Sequence, residues 1–213
     1  ASLGSVPMAA YSLTFNLGFA TSQLCESVSI ASQALLARDV PFDTPHKKEA
    51  ARHVIKRSLT LGMLVSGLLA IVLWLNRESC VAKLTQSPQV RAAALEIMPV
   101  VLVTQLLKGL AYSTGGILLG GLDWFWSSAG TTLASIITIS CVKYFFPTTL
   151  YNIWIALGVF MFTQVAVSFG RVASTTGPWS SLALTSEIPF IRSASASASS
   201  GGATSAAAQD DKE

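Results

Sequence analysis

Residues 58–75 carry no charged side chain and are dominated by Leu, Val and Ile. The pattern recurs. Residues 1–37 hold one charge, Glu26; residues 97–122 hold one, Lys108; residues 124–142 and 144–170 hold none. An apolar helix in water buries one stripe and shows a polar face to solvent. These runs have no such face over lengths close to the roughly 17–25 residues that cross a bilayer core. Of 213 residues only 12% are charged, about half the share usual in a soluble domain. The surplus apolar surface must face lipid.

The runs are continuous rather than alternating, which excludes a membrane β-barrel and predicts helices. The expected fold is all-α, a polytopic transmembrane bundle of about five spans near residues 8–36, 58–75, 97–122, 124–142 and 153–172. Trp74, Trp124, Trp126, Tyr144 and Trp154 lie near span ends, where aromatic belts form. Pro99 is expected in the first turn of the third span, where a missing N–H costs least. A loop is expected at Pro147. From Ser174 the composition changes, and residues 193–208 are almost entirely Ser, Ala and Gly. A Ser/Ala/Gly-rich tail over 174–213 is expected to be disordered, because it has too little apolar surface to offset its ordering entropy.

Arg38, Lys47, Lys48, Arg52, Lys56 and Arg57 crowd the first polar segment; Arg77, Lys83 and Arg91 are spread through the next. The positive-inside rule puts the first segment on the cytoplasmic or stromal side, with Arg171 on the same side. The basic residues form no stripe with interleaved aromatics, which argues against a nucleic-acid partner. Cys25, Cys80 and Cys141 form no CxxC, and His46 and His53 have no thiolate near them, so no metal site is expected. GxSxG, HExxH, Walker and GxGxxG patterns are absent; neither an enzyme nor a cofactor is expected. The chain opens on Ala1 without a leader-like segment, so a fragment or processed product is expected.

Two ionisable residues stand inside apolar runs, where charge is costly and marks a candidate site. Glu26 lies in the first span among Ser12, Asn16, Gln23, Ser27 and Gln33, which fall on one helical face. That face is expected to hide against other helices or to line a water-filled cavity. Glu26 is read either as a proton- or cation-responsive acid or as a structural carboxyl. Lys108 shares a face of the third span with Thr104, Tyr112 and Gly115. It either pairs with Glu26, lines one cavity with it, or snorkels to an interface. Gly116 and Gly120 form GxxxG, a helix-packing pattern. Asp123 closes this span as a boundary residue.

The segment Gly116-Ile117-Leu118-Leu119-Gly120-Gly121-Leu122-Asp123 resembles the glycine-rich G-V-L-x-G-x-G-D stretch ending the tenth helix of multidrug-and-toxin-extrusion (MATE) transporters. Here Gly121 and Leu122 are exchanged relative to the usual Gly beside the Asp. Glu26 followed by Ala31-Ser32-Gln33-Ala34 resembles the acid and A-x-Q-A run ending the eighth helix, and Ala9-Ala10-Tyr11 sits where that helix commonly starts with A-A-H or A-A-F. Thr176-Gly177-Pro178-Trp179 is similar to the close of plant plastid members of the DinF-like branch. The resemblance covers about residues 8–179. It implies a partial second lobe, helices eight to twelve, with the N-terminal lobe as missing partner. It further implies proton- or sodium-driven antiport of small organic solutes across a bilayer, and a plastid envelope location. Many relatives carry an acid within the tenth helix where this chain has Gly115. The implied ion-coupling and cavity residues are Glu26, Asn16, Gln23, Gln33, Lys108 and Tyr112. The alternative is a non-transporting membrane scaffold, motivated by the odd helix number and GxxxG.

Overall fold

The computed structural model describes residues 4–145, 149–174 and 176–182. Among these are five α-helices and no strand: α1 (Ser5–Asp39), α2 (Pro45–Leu84), α3 (Pro88–Gly120), α4 (Trp124–Tyr144) and α5 (Leu150–Ala173), followed by a 3-10 turn, Gly177–Trp179. The loop expected at Pro147 and the tail residues 193–208 lie outside the described residues.

Three helices, α2, α3 and α5, start on a polar side-chain cap. Thr44 Oγ1 accepts from Lys47 N at 3.3 Å, Ser87 Oγ from Val90 N at 3.5 Å, and Thr149 Oγ1 from Asn152 N at 3.2 Å. Pro45 and Pro88 follow the first two caps, where a residue without N–H forfeits nothing. These caps set the helices longer than their apolar runs. Most of the charged segment 38–57 is therefore helix. α2 turns Ala51 and Ile55 inward while His53, Lys56 and Arg57 stay exposed. Pro99 is corrected as well: it lies inside α3, three turns past Pro88, because Ser87 and Pro88 start the helix early.

Four helices, α2 to α5, are long and apolar enough to cross a membrane. α1 is long enough at 35 residues, but its Ser, Thr, Asn and Gln content leaves it outside that set. α3 is the hub, packed against α1, α2 and α5, while α4 lies mainly on α5. Small residues permit the close crossings. A Cβ on Gly62 would stand 2.7 Å from the Gly109 carbonyl oxygen, and one on Gly109 would stand 2.5 Å from that of Gly62. Beside this α2–α3 crossing Ser113 Oγ donates to Ser58 O at 3.1 Å, and Ser32 Oγ of α1 reaches Ser58 Oγ at 2.7 Å. Gly116 faces Ser29, and Gly120 faces Gln33 and Leu36, so the GxxxG pair lies against α1. Backbones that approach this closely gain dispersion contacts along their length, the main attraction available between helices in lipid.

Large apolar side chains cover the outside. Leu64, Leu75, Phe125, Ile139 and Phe162 are all exposed. In water such a continuous apolar exterior would drive association; in hydrocarbon it is the solvated surface.

Candidate functional site

The buried face of α1 is not the polar one. Ala10, Thr14, Gly18, Ser22, Cys25, Ser32 and Leu36 point inward, and their small size lets α3 close on them. Ser12, Asn16, Gln23 and Ser27 are exposed. The polar stripe is thus left largely exposed rather than packed in the α1–α3 crossing. The reason is steric: the α1–α3 crossing needs the narrow face.

Glu26 and Gln33 sit at the edge of that stripe and look into a cavity of about 400 Å³. Tyr112 and Gly115 of α3 and Phe160, Met161 and Gln164 of α5 complete its wall. Among the described residues Glu26 forms no ion pair and no side-chain hydrogen bond. Its carboxylate stands in a cavity with an amide, a phenol and a second amide and no fixed counter-charge. Such an arrangement can bind a proton, a small cation or a protonated amine, because nothing already neutralises the acid.

Lys108 is elsewhere. It is buried, and its Nζ lies 3.4 Å from the Gly18 carbonyl oxygen of α1. Gly18 precedes Glu26 by eight residues, about 12 Å of helix rise. No ion pair joins Lys108 to Glu26, and Lys108 does not line the Glu26 cavity. Nor does it snorkel outward, since Gly18 leaves room for it inside. Asn16 lines a different cavity, of about 520 Å³, with Ser12, Thr85 and Val90. Gln23 is exposed. Of the residues read from sequence, the fold brings together Glu26, Gln33 and Tyr112. It adds Gln164, the one glutamine of the uncharged run 144–170, which could have been singled out as a polar residue in its middle.

Asp123 is a second correction: it stands directly before α4 without capping it by its side chain, and it is buried, at 8% exposure. Its Oδ2 accepts from Arg171 Nε at 2.6 Å and from Trp179 Nε1 at 2.9 Å. The Arg171 guanidinium lies 5.0 Å from the Trp126 ring, and Arg171 also donates to Ser174 and Thr176. Trp179 is fully buried, beside Phe42 and against the backbone of Gly121, where a Cβ would meet the ring at 2.5 Å. Arg52 Nε donates to Leu182 O at 2.7 Å. Residues 176–182, expected as the start of a disordered tail, are therefore folded back over the ends of α1, α2, α3 and α5.

The turn between α3 and α4 explains the exchanged glycine. Asp123 N donates to Leu118 O and Leu122 N to Leu119 O, both at 3.1 Å. This is a Schellman closure, which wants Gly at its left-handed residue. That residue here is Leu122, at φ 58. Gly121 has an ordinary φ of −75; its missing side chain is needed for Trp179 instead.

No group of three or more His, Cys, Asp or Glu that could hold a metal occurs among the described residues. The class these observations define is a multi-pass integral membrane protein: a helical bundle with an apolar exterior and an unpaired interior acid. The MatE family model matches residues 1–139, and the chain belongs to that family. It is similar to Protein DETOXIFICATION 42 of Arabidopsis thaliana, at 30% identity over 84% of this chain and 34% of that protein. Protein DETOXIFICATION 43 of the same plant is 27% identical over 94% of the chain and 36% of its own length. Protein DETOXIFICATION 44, chloroplastic, is 27% identical over 84% and 34%. The chain thus spans about a third of the length of these relatives. No solved structure matches it.

Proposed function

We propose that this chain is part of the second lobe of an ion-coupled antiporter that moves small organic solutes out across a membrane. The observation that carries the reading is Glu26, an acid without a partner in the wall of a cavity inside a MatE-family bundle. Glu26 takes up the coupling proton or cation, and Gln33, Tyr112 and Gln164 supply the polar contacts around it. The exposed polar stripe of α1 is the face turned toward the N-terminal lobe that the family resemblance implies. Alternating access needs two bundles that rock about a shared site, so the five helices work only with that lobe. A plastid envelope location is supported by the chloroplastic relative, and the basic α1–α2 end then faces the stroma.

The test is flux in proteoliposomes. A full-length protein containing this chain, loaded with a fluorescent organic cation, is expected to expel it when a proton or sodium gradient is imposed. Glu26→Gln is expected to lower that gradient-dependent flux at least tenfold without loss of the folded protein. Unchanged flux in Glu26→Gln would defeat the assignment of Glu26. Stable co-purification with a fixed partner and no flux under either gradient would instead favour a scaffold.

A further inference from the structure

Arg57 heads the apolar outer face of α2. It is followed along the helix by Leu61, Leu64, Leu68, Ile71 and Leu75, all exposed. Alternating steps of four and three residues keep these side chains on one face, and the buried residues of the same stretch, Ile55, Ser58 and Gly62, lie opposite. Arg57 therefore stands in line with the lipid-facing ridge. Arg77 follows Arg57 by 20 residues, about 30 Å of helix rise, which is the thickness of the hydrocarbon layer. Arg57 thus lies at headgroup depth in the leaflet on the α1–α2 side. The two ends of the run hold their arginines differently. The Arg77 guanidinium lies 4.1 Å from the centre of the Trp74 ring and donates to the Trp74 carbonyl oxygen at 3.3 Å. Arg57 and its neighbour Lys56, both exposed, form no ion pair and no side-chain hydrogen bond among the described residues. Residues 38–57 carry six Lys and Arg against three acids, and each acid is already engaged: Asp39 with Arg38, Asp43 with Lys47 at 3.0 Å, and Glu49 with His53 at 3.9 Å.

We propose that Lys56 and Arg57 bind the headgroup of an anionic phospholipid whose acyl chains lie along Leu61, Leu64 and Leu68. The guanidinium fork matches two phosphate oxygens, and the lysine ammonium adds a point charge beside it. A zwitterionic lipid offers the same phosphate but brings its own cation into a basic patch; an anionic lipid does not, and so gains the full attraction. Headgroup and chains address contiguous parts of one helix face, which selects a lipid over a free phosphate ion. The site uses nothing of Glu26 or its cavity, so it stands or falls apart from the antiport reading.

The test is native mass spectrometry of the full chain in detergent, titrated with phosphatidylglycerol and with phosphatidylcholine of identical chains. The first phosphatidylglycerol is expected to bind about tenfold more tightly than the first phosphatidylcholine. Arg57→Gln and Lys56→Gln should each weaken that first phosphatidylglycerol about fivefold, and the double variant about twenty-fivefold, the strength usual for basic residues near a membrane surface. Arg77→Gln should leave it unchanged, because that charge is held on Trp74. Both substituted side chains are exposed, so the variants should fold, and helical circular dichroism verifies each. Equal affinity for the two lipids overturns the proposal, as does unchanged binding in the double variant or an equal loss in Arg77→Gln. Soluble glycerol phosphate that competes as well as phosphatidylglycerol overturns it too, since the site would then take a phosphate ion without its chains.

Discussion

Asp123 and Glu26 are both acids within an apolar bundle, and the fold treats them in opposite ways. Asp123 is closed in by Arg171 and Trp179, with both hydrogen bonds under 3 Å. Glu26 stands at a cavity wall with no partner among the described residues. An acid whose charge is already matched at short range serves to hold pieces together, since any new ligand must break an existing pair. An acid with no match can change its state at lower cost. The position of a carboxylate along a run of apolar residues is therefore a poor guide to its work; its partners decide. Asp123 looked like a boundary residue because it follows Leu122, the last residue of the third apolar run. Yet the chain after α5 folds back to bury it.

The comparison can be broken most sharply at Asp123. Asp123→Asn leaves the mostly buried Arg171, 11% exposed, without its counter-charge, and breaking a buried pair costs up to about 3–5 kcal/mol. Thermal unfolding in detergent should show that loss, and Asp123→Ala with Arg171→Ala together should cost less than the sum of the singles. A melting curve unchanged by Asp123→Asn would mean that the pair holds nothing.

The crossings that fix both acids come next. Gly109→Ala drives a methyl into the Gly62 carbonyl, an overpacking worth about 1–3 kcal/mol of destabilisation. Leu122→Gly should act in the opposite direction. It relieves a side chain at φ 58, gaining about 0.5–1 kcal/mol after the entropy cost of glycine. Gly121→Leu in the same background should undo far more than that gain, because the new side chain meets Trp179.

Glu26→Gln should leave stability within about 0.5 kcal/mol, as for a substitution that breaks no packed contact, while abolishing coupled flux. A large loss of stability there would make Glu26 a second Asp123. The smallest effect belongs to Asp43, whose exposed carboxylate is bonded to Lys47 at 3.0 Å. That hydrogen bond holds the Asp43 carboxyl below its ordinary range. Its small contribution is present above the unfolded carboxylate value and is lost as pH falls through the folded one. Asp43→Asn should leave the melting curve at neutral pH unresolved from that of the parent, as expected for an exposed pair.

The helical character of the chain, its residence in lipid and the two stranded ionisable residues were legible from the residues alone. A run of uncharged apolar residues dictates its solvent wherever it ends up, and burial cost flags Glu26 and Lys108 without coordinates. The family was also legible, through Gly116 to Asp123. Helix starts were half legible: Thr44-Pro45 and Ser87-Pro88 are cap signals that outweigh the charged residues after them. What the sequence could not decide was which residues meet. Periodicity placed Asn16, Gln23 and Glu26 on one face, but only packing determined that the opposite, small-residue face of α1 would be the buried one. Lys108 and Glu26 are separated by a register that depends on where α3 crosses α1. Trp179 and Asp123 are joined across 56 residues by a chain reversal. Local pattern sets the preference of each segment; distances between segments follow from how their surfaces fit, and that exists only once the bundle has closed.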